Sequence, residues 1–482
     1  MSAPTGFVAR HAPYDTRALG ALEQAERVMD EHGIDLVRLV FPDLHGVLRG
    51  KTLTRSAYEG ALTAGYGVPA TLLAKDTAHR TVYPVFRRDE SVPSMVADVA
   101  DVVLVPDPTT FRKLPFSART GWVLADVHHT DGRVSPFAAR SILRDTLAAV
   151  GRRGYDAVVG LEIEFGVFKL EASHLTPADA TQPATPPDVG LTTAGYQLMS
   201  EQRLDQVDDV VRLIADTCAA LDLPLRSVEQ EFGPSQLEVT FAPQAPLEAA
   251  DTMVLFRSAI KQVLRRAGYH ASFMCRPALD NLFSSGWHLH QSLVTDHDRT
   301  NAFMPAGDGD EPLSEVGRHY LGGVLAHAAA ASVFTTPTVN GYKRYQPYSL
   351  APERLVWARD NRGALARVIG GPDDPATRIE NRGGEPAANP YLYIASQLVA
   401  GLDGIEHGTD PGPATTEPYN HQAERLPSTL LDALDALAHD PLYRQRFGDT
   451  FIDHLVATKR MELGRYLGAV TDWEHREYFD LF

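Results

Sequence analysis

Val158-Val159-Gly160-Leu161-Glu162-Ile163-Glu164-Phe165 is the stretch on which the fold of this chain turns. It is an apolar run of strand length broken by two carboxylates. Residues two apart on an extended strand point to the same face, so Glu162 and Glu164 look into one space. Burying unpaired carboxylates is costly, so this face needs a cation or a wet cleft. Taken alone, an E-x-E is more often a plain solvated sheet surface.

Downstream the same alternation returns. His288-Leu289-His290 puts both imidazoles on one face if it is a strand, and Arg378-Ile379-Glu380-Asn381-Arg382 does the same for two guanidiniums and a carboxylate. Glu231 and Glu238 add two further carboxylates, and Arg362 and Arg367 two further rigid donors suited to phosphate and carboxylate. Each group has an ordinary explanation by itself: a satisfied structural histidine, or a surface ladder of ion pairs. Together they suggest a two-metal site with anion-gripping arginines. Carboxylate ligands with tolerated imidazole and no thiolate favour magnesium or manganese over zinc.

Composition sets the bounds. The chain has 482 residues, 44% of them hydrophobic, which is long enough for two domains around sizeable cores. A net charge of −17 argues against a nucleic-acid partner, while small anionic ligands remain open. Cys218 and Cys275 are the only cysteines, too few for a disulfide framework or a cysteine-rich zinc site, and a reducing cytoplasm is expected. Residues 1–15 carry one strongly basic residue, Arg10, and no apolar run, unlike a secretory signal. No stretch offers the roughly 20 mainly apolar residues of a membrane helix. The most apolar one, residues 320–334, is broken by Gly322, Gly323 and His327 and reads as a buried helix.

Residues 19–31 have helical spacing and end at Gly33, residues 34–41 read as a strand, and residues 95–105 complete a small β-rich module closed by Pro106-Asp107-Pro108. A new unit is expected near Lys113. Beyond it strands and amphipathic helices alternate. Val210, Ile214, Cys218 and Leu221 form one core stripe, and Met253, Phe256, Ile260, Val263 and Leu264 another, stopped by Gly268. Residues 171–193, 304–312 and 408–427 read as loops. Gly46-Val47-Leu48-Arg49-Gly50-Lys51-Thr52 resembles a phosphate-binding loop, but it has three residues between its glycines where that motif needs four, and it is expected to hold no phosphate.

Six stretches, in order, carry a resemblance to a known family: Gly160 through Phe165, Glu231 through Glu238, Phe273-Met274-Cys275-Arg276-Pro277, Ser285 through Leu293, Pro337 through Arg344, and Asn389-Pro390-Tyr391-Leu392. Over nearly its whole length the chain resembles the glutamine synthetase family of class I bacterial type, in particular its γ-glutamyl-amine ligase branch. The resemblance implies an α+β fold, with a small N-terminal β-grasp domain at 1–112 and a catalytic domain at 113–482 built on a curved antiparallel sheet. It implies ATP and two to three magnesium or manganese ions. Glu164, Glu231 and Glu238 would hold the metal near the acid, and Glu162, His288 and Glu380 the metal bridging the ATP phosphates. His290 and Ser292 would lie along the nucleotide, with Arg367 and Arg378 near its phosphates. Arg344, Arg362 and Arg382 would grip the substrate carboxylates and the transferring phosphoryl group. It further implies a homo-dodecamer of two hexameric rings with sites between subunits.

The implied reaction makes an acyl phosphate from an acid and ATP, which an amine then converts to an amide. Departures from the family pattern bear on the amine. Leu350 stands in the flap where ammonia-using members carry a glutamate, and Gly67-Val68-Pro69-Ala70-Thr71-Leu72-Leu73 stands roughly where they carry Asp-Gly-Ser-Ser. Losing carboxylates and gaining apolar groups disfavours ammonium and suits an amine with a carbon body. An alkylammonium, with a pKa of about 10, must shed a proton before attack. Glu231, the departing phosphate or Asp76 could accept it. Phe283-Ser284 replaces the family's Asn-Gly at the edge of the glutamate site. The expectation is a ligase joining the γ-carboxylate of glutamate to an organic amine such as ethanolamine, a polyamine or another alkyl or aryl amine. A true glutamine synthetase, a ligase for another acid, and a non-catalytic binding or scaffold relative are the alternatives.

Overall fold

A computed structural model describes residues 6–86, 93, 96, 100–171, 174–307 and 309–482. The first sheet grows from an amphipathic helix, Thr16–Glu31. Asp15 caps it by accepting from the Ala18 amide, and Gly33 leaves it in the left-handed region at φ +57°. Strand β1 (Leu36–Pro42) follows, with Val37, Leu39 and Phe41 fully buried on alternate positions. The remaining strands are β2 (Leu48–Thr54), β3 (Tyr66–Pro69), β4 (Asp101–Pro106), β5 (Arg112–Lys113) and β6 (Thr120–His129), in the order β2-β1-β6-β4-β3 with β5 on β6. β1 and β6 run parallel, and the other pairs are antiparallel.

The expected domain boundary at residue 112 cuts this sheet. β6 lies beyond that boundary and is the strand between β1 and β4. Pro106-Asp107-Pro108 ends β4, but the Asp107 side chain accepts from the Thr109 amide and starts a short 3-10 turn, Pro108–Thr110, that folds the chain back onto the same sheet. Prolines mark a turn here, not a linker. Of the expected strand at 95–105, Met95 and residues 97–99 lie outside the described residues. The glycine-flanked stretch at 46–52 is a turn running into β2, and although a helix (Arg55–Ala64) follows, a strand occupies the place a phosphate loop would need.

Among the described residues the second sheet has nine strands: β7 (Tyr155–Leu170), β8 (Val189–Leu191), β9 (Leu225–Gln230), β10 (Gln236–Phe241), β11 (Tyr269–Ser272), β12 (Trp287–Thr295), β13 (Trp357–Arg359), β14 (Ala366–Ile369) and β15 (Arg378–Gly384). Their order is β13-β14-β15-β12-β7-β10-β9, with β8 and β11 also on β7; only β13 and β14 pair in parallel. β8 was not anticipated, since it ends a polar segment read as loop; pairing with the far end of β7 orders it. One face of this curled sheet is core. Leu161, Ile163 and Phe165 of β7 and Trp287, Leu289 and Leu293 of β12 are buried, and Phe165 stacks on Phe273 at 4.9 Å and meets Phe256 edge-on at 5.9 Å.

Both expected helical stripes are buried, in helices Asp208–Ala220 and Pro246–Arg266. Residues 320–334 belong to two helices, Glu315–Ala326 and Ala328–Thr335. They break at His327, whose ring nitrogens lie 3.0 Å from Asp403 and 2.6 Å from Asp440. No helix among the described residues is long and apolar enough to cross a membrane.

Arg140 joins the two sheets. On helix Ala139–Gly151 and only 3% exposed, it reaches Asp107 at 2.7 Å, Asp126 of β6 at 3.0 Å and Asp251 of helix Pro246–Arg266 at 2.8 Å. Removing one partner of such a buried network leaves the others uncompensated. Arg140→Ala is expected to cost about 3–5 kcal/mol, read as a lowered thermal unfolding midpoint. A midpoint unchanged within error would contradict this account.

Candidate active site

Strand register assembles the site. Across the nine-stranded sheet, Glu238 lies opposite both Glu164 and Glu229, Glu162 lies opposite His288, and Glu380 lies opposite both His290 and Arg367. Directly opposed residues of an antiparallel pair share a face. The side chains flagged by alternation on β7, β10, β12 and β15 therefore form adjoining rows on the face away from the Phe165 core. Glu231 lies just past the end of β9 and is the exception. Its amide donates to the Gln236 carbonyl at 3.0 Å, so the turn between β9 and β10 brings its carboxylate back to Glu164 and Glu238.

In this site three sets of residues each bring their ligand atoms within 4.8 Å of one another: Glu164, Glu231 and Glu238; Glu162, His290 and Glu380; and Glu162, Glu238 and His288. The first is the set expected near the acid. Glu162, His288 and Glu380 also come together: His288 Nδ1 lies 2.6 Å from Glu162 and 3.6 Å from the Glu380 carboxylate, and His290 joins Glu162 and Glu380 as a further donor.

Hydrogen bonds orient these groups. Glu162 accepts from His288 Nδ1 at 2.6 Å and from His290 Nε2 at 3.0 Å; the opposite ring nitrogens accept from Arg344 Nη2 at 3.2 Å and Arg378 Nε at 3.2 Å. That network assigns the His288 proton to Nδ1. Burial, followed by the nearby Arg382 charge, holds the His288 imidazole down at about 4 and therefore neutral. Burial would raise Glu162, but the two histidines outweigh it and hold this carboxylate well below its usual range. Glu380, with no exposed surface, is gripped by Arg382 at 2.5 Å and Arg367 at 2.9 Å.

The acid-side carboxylates behave oppositely. Burial, then the Glu231 charge, pushes Glu164 up to about 8, although it accepts from the Gly286 amide at 2.9 Å and Gln236 Nε2 at 3.1 Å. Burial, then Glu162, Glu164 and Glu231, pushes Glu238 up to about 10. Burial likewise raises Glu231. Carboxylates packed this closely cannot all be charged without a cation among them, and a hard divalent ion with oxygen ligands fits the donor set.

Other expected residues are placed less directly. Ser292 is half-buried, on the same face of β12 two residues past His290. Arg362 is exposed in the turn before β14, and it is its carbonyl that is held, by Arg382 Nε at 2.9 Å. Asp76 is buried and committed elsewhere: it accepts from the Arg80 amide at 2.8 Å and lies 3.0 Å from Arg465 Nε. In the flap, Tyr348 and Leu350 both sit in the left-handed region, at φ +58° and +61°, and the Leu350 carbonyl lies 3.5 Å from Arg382 Nη2.

Gln236 escaped sequence reading. One amide nitrogen of it reaches Glu164, the Ser284 carbonyl and the Ser285 hydroxyl at 3.0–3.3 Å, locking the loop before β12 to the acidic row. Its signal was available, since it lies two residues before Glu238 on the same strand face.

Residues 137–478 match the family model described as glutamine synthetase, catalytic domain. The chain belongs to the glutamine synthetase family. It is 43% identical to the gamma-glutamylanilide synthase of an Acinetobacter species, with 100% of each chain covered. It is 32% identical to the gamma-glutamylethanolamide synthetase GlnA4 of Streptomyces coelicolor, over 95% of this chain and 96% of that one. Among solved structures, a GmaS/ADP complex superposes with a TM-score of 0.78 at 29% identity, covering 94% of this chain and 99% of the other. Enzymes of the glutamine synthetase family use ATP and divalent metals, and the carboxylate and imidazole clusters of this chain suit such ions.

Proposed function

We propose that the protein is an ATP-dependent ligase that activates the γ-carboxylate of glutamate as an acyl phosphate and joins it to an organic amine, giving a γ-glutamylamide. The observation that carries this reading is the convergence of carboxylate rows and buried arginines beside a flap that presents Leu350 in place of an acid. The printed names of two relatives, a γ-glutamylanilide synthase and a γ-glutamylethanolamide synthetase, support it.

Glu164, Glu231 and Glu238 would hold one divalent cation beside the acid, and Glu162, His288 and Glu380 a second at the ATP phosphates, with His290 along the nucleotide and two to three ions in all. When bound, these ions neutralise charge on the phosphates. Arg367, Arg378 and Ser292 line the nucleotide side. Arg344 and Arg382, each at most 6% exposed, are fixed donors for the substrate carboxylates and the transferring phosphoryl group, and the exposed Arg362 would add a third from its turn. The carboxylate oxygen attacks the γ-phosphorus, ADP leaves, and the amine then displaces phosphate from the acyl carbon. A homo-dodecamer of two hexameric rings with sites shared between subunits, working in the cytoplasm, completes the proposal.

Phosphate release from ATP and glutamate, measured with ammonia, ethanolamine, a polyamine and aniline, tests it. At least one organic amine is expected to exceed ammonia in kcat/KM by an order of magnitude or more. Ammonia as the best acceptor would reject the proposal.

A further inference from the structure

Three aromatic rings converge beside the acid-side carboxylates. Phe232 directly follows Glu231, and its ring meets Phe283 edge-on with centroids 5.1 Å apart and planes at 71°. Tyr196 leans on Phe232 at 5.4 Å and is held there by its hydroxyl, which donates to the Asn281 carbonyl at 2.6 Å. Phe283 is tied to the chemistry through its neighbours, because Ser284 and Ser285 share the Gln236 amide with Glu164. Even the backbone accommodates this wall: a Cβ at Gly233 would stand 2.7 Å from the Phe283 Cβ. Phe232 and Phe283 are half-buried and Tyr196 is 43% exposed, so the rings are supported from behind and open in front.

Opposite chemistry is missing from the flap. Residues 346–352, Gln346-Pro347-Tyr348-Ser349-Leu350-Ala351-Pro352, contain no carboxylate. The next one along, Glu353, is 8% exposed and lies 3.4 Å from Arg354. Asp76 is engaged by Arg465. An alkylammonium would thus meet no dedicated anionic seat in the flap, and no base beside the rings other than Glu231, which the cation cluster with Glu164 and Glu238 engages. An arylamine needs neither, since its lone pair is delocalised into the ring and it is already unprotonated at neutral pH. Its flat face also matches an edge-to-face aromatic wall.

We infer that the acceptor is a primary arylamine, seated by Phe232, Phe283 and Tyr196 under the Leu350 flap. This rests on the ligase reading above. The arylamine nitrogen forms the new C–N bond with its lone pair, the acyl C–O bond breaks toward phosphate, and the departing phosphate takes the surplus N–H proton. Atoms and charges balance without a protein base.

The full-length enzyme with ATP, glutamate and magnesium tests this, using aniline, benzylamine, ethanolamine and ammonia as acceptors. Benzylamine separates ring recognition from neutrality, for it has the ring but is an ammonium at neutral pH. Aniline is expected to have the highest kcat/KM. Between pH 7 and 8.5 the benzylamine rate, relative to that of aniline, should climb by about tenfold per pH unit as its neutral fraction grows. Phe232→Leu and Phe283→Leu keep apolar bulk but lose the ring, and each should raise the KM for aniline about three- to tenfold while the KM for ATP stays put. Preference for benzylamine or ethanolamine over aniline, or an aniline KM unmoved in both variants with unchanged unfolding midpoints, would overturn the arylamine assignment and leave the ligase reading intact. Ammonia alone serving as acceptor would overturn both.

Discussion

Glu380→Gln is expected to lower kcat for amide formation by about 10²–10³-fold, the usual cost of deleting one preorganised electrostatic partner at a site of developing charge. Glu380 has no exposed surface, faces His290 across the sheet, and holds Arg382 and Arg367 on its two oxygens. The amide conserves shape but deletes the negative charge, so one metal ligand and the anchor of both guanidiniums weaken together. Glu380→Ala should be worse in a second way. It strips two nearly buried arginines of their partner, adding about 3–5 kcal/mol of destabilisation. Phosphate release and thermal unfolding separate the effects: the glutamine variant should lose activity with a small change in midpoint, and the alanine variant should lose both. A glutamine variant within tenfold of the parent would remove Glu380 from the site.

Divalent cations are expected to raise the thermal midpoint, and to do so more at pH 8 than at pH 6. The sign follows from the acid-side carboxylates. In the unfolded chain they titrate near 4.5, whereas folding without metal raises Glu164 to about 8 and Glu238 to about 10. Groups raised in this way favour the metal-free fold fully only below the unfolded value, and that contribution falls as pH rises toward 8 and beyond. A cation takes the place of those protons. At a hundred times its Kd it stabilises by about 2.7 kcal/mol, and because the ligands must be deprotonated, binding releases protons and tightens with pH. Unfolding scans with magnesium or with a chelator at both pH values check the first part; calorimetry in two buffers of different ionisation enthalpy counts the protons. A midpoint indifferent to cations at pH 8 would refute the metal site.

Much of this site was legible because strand alternation has a period of two. Glu162 and Glu164, His288 and His290, and Arg378, Glu380 and Arg382 each lie on one strand, so facing followed from spacing alone. What spacing does not contain is register between strands far apart in the chain. That is why spacing does not show that His288 and His290 both meet Glu162 with Glu380 beside them, and why the place of Glu231 depends on a turn. Arg362 matches by residue type alone, and its turn exposes the side chain. Asp76 shows no partner in the sequence because Arg465, which engages it, lies almost four hundred residues away. The end of the first sheet was misread for a similar reason: Pro106 and Pro108 stop β4, but only the parallel partner β1 shows that β6 belongs with it.

The length of β7 has a consequence for how such a chain can vary. Leu161, Ile163 and Phe165 pack the core while Glu162 and Glu164 face the chemistry, so deleting a single residue ahead of Glu162 would exchange the two faces at once. Side chains along it can be replaced one at a time, each at its own cost. An insertion or deletion has no such gradual route, and natural variants should therefore place theirs in the surrounding loops.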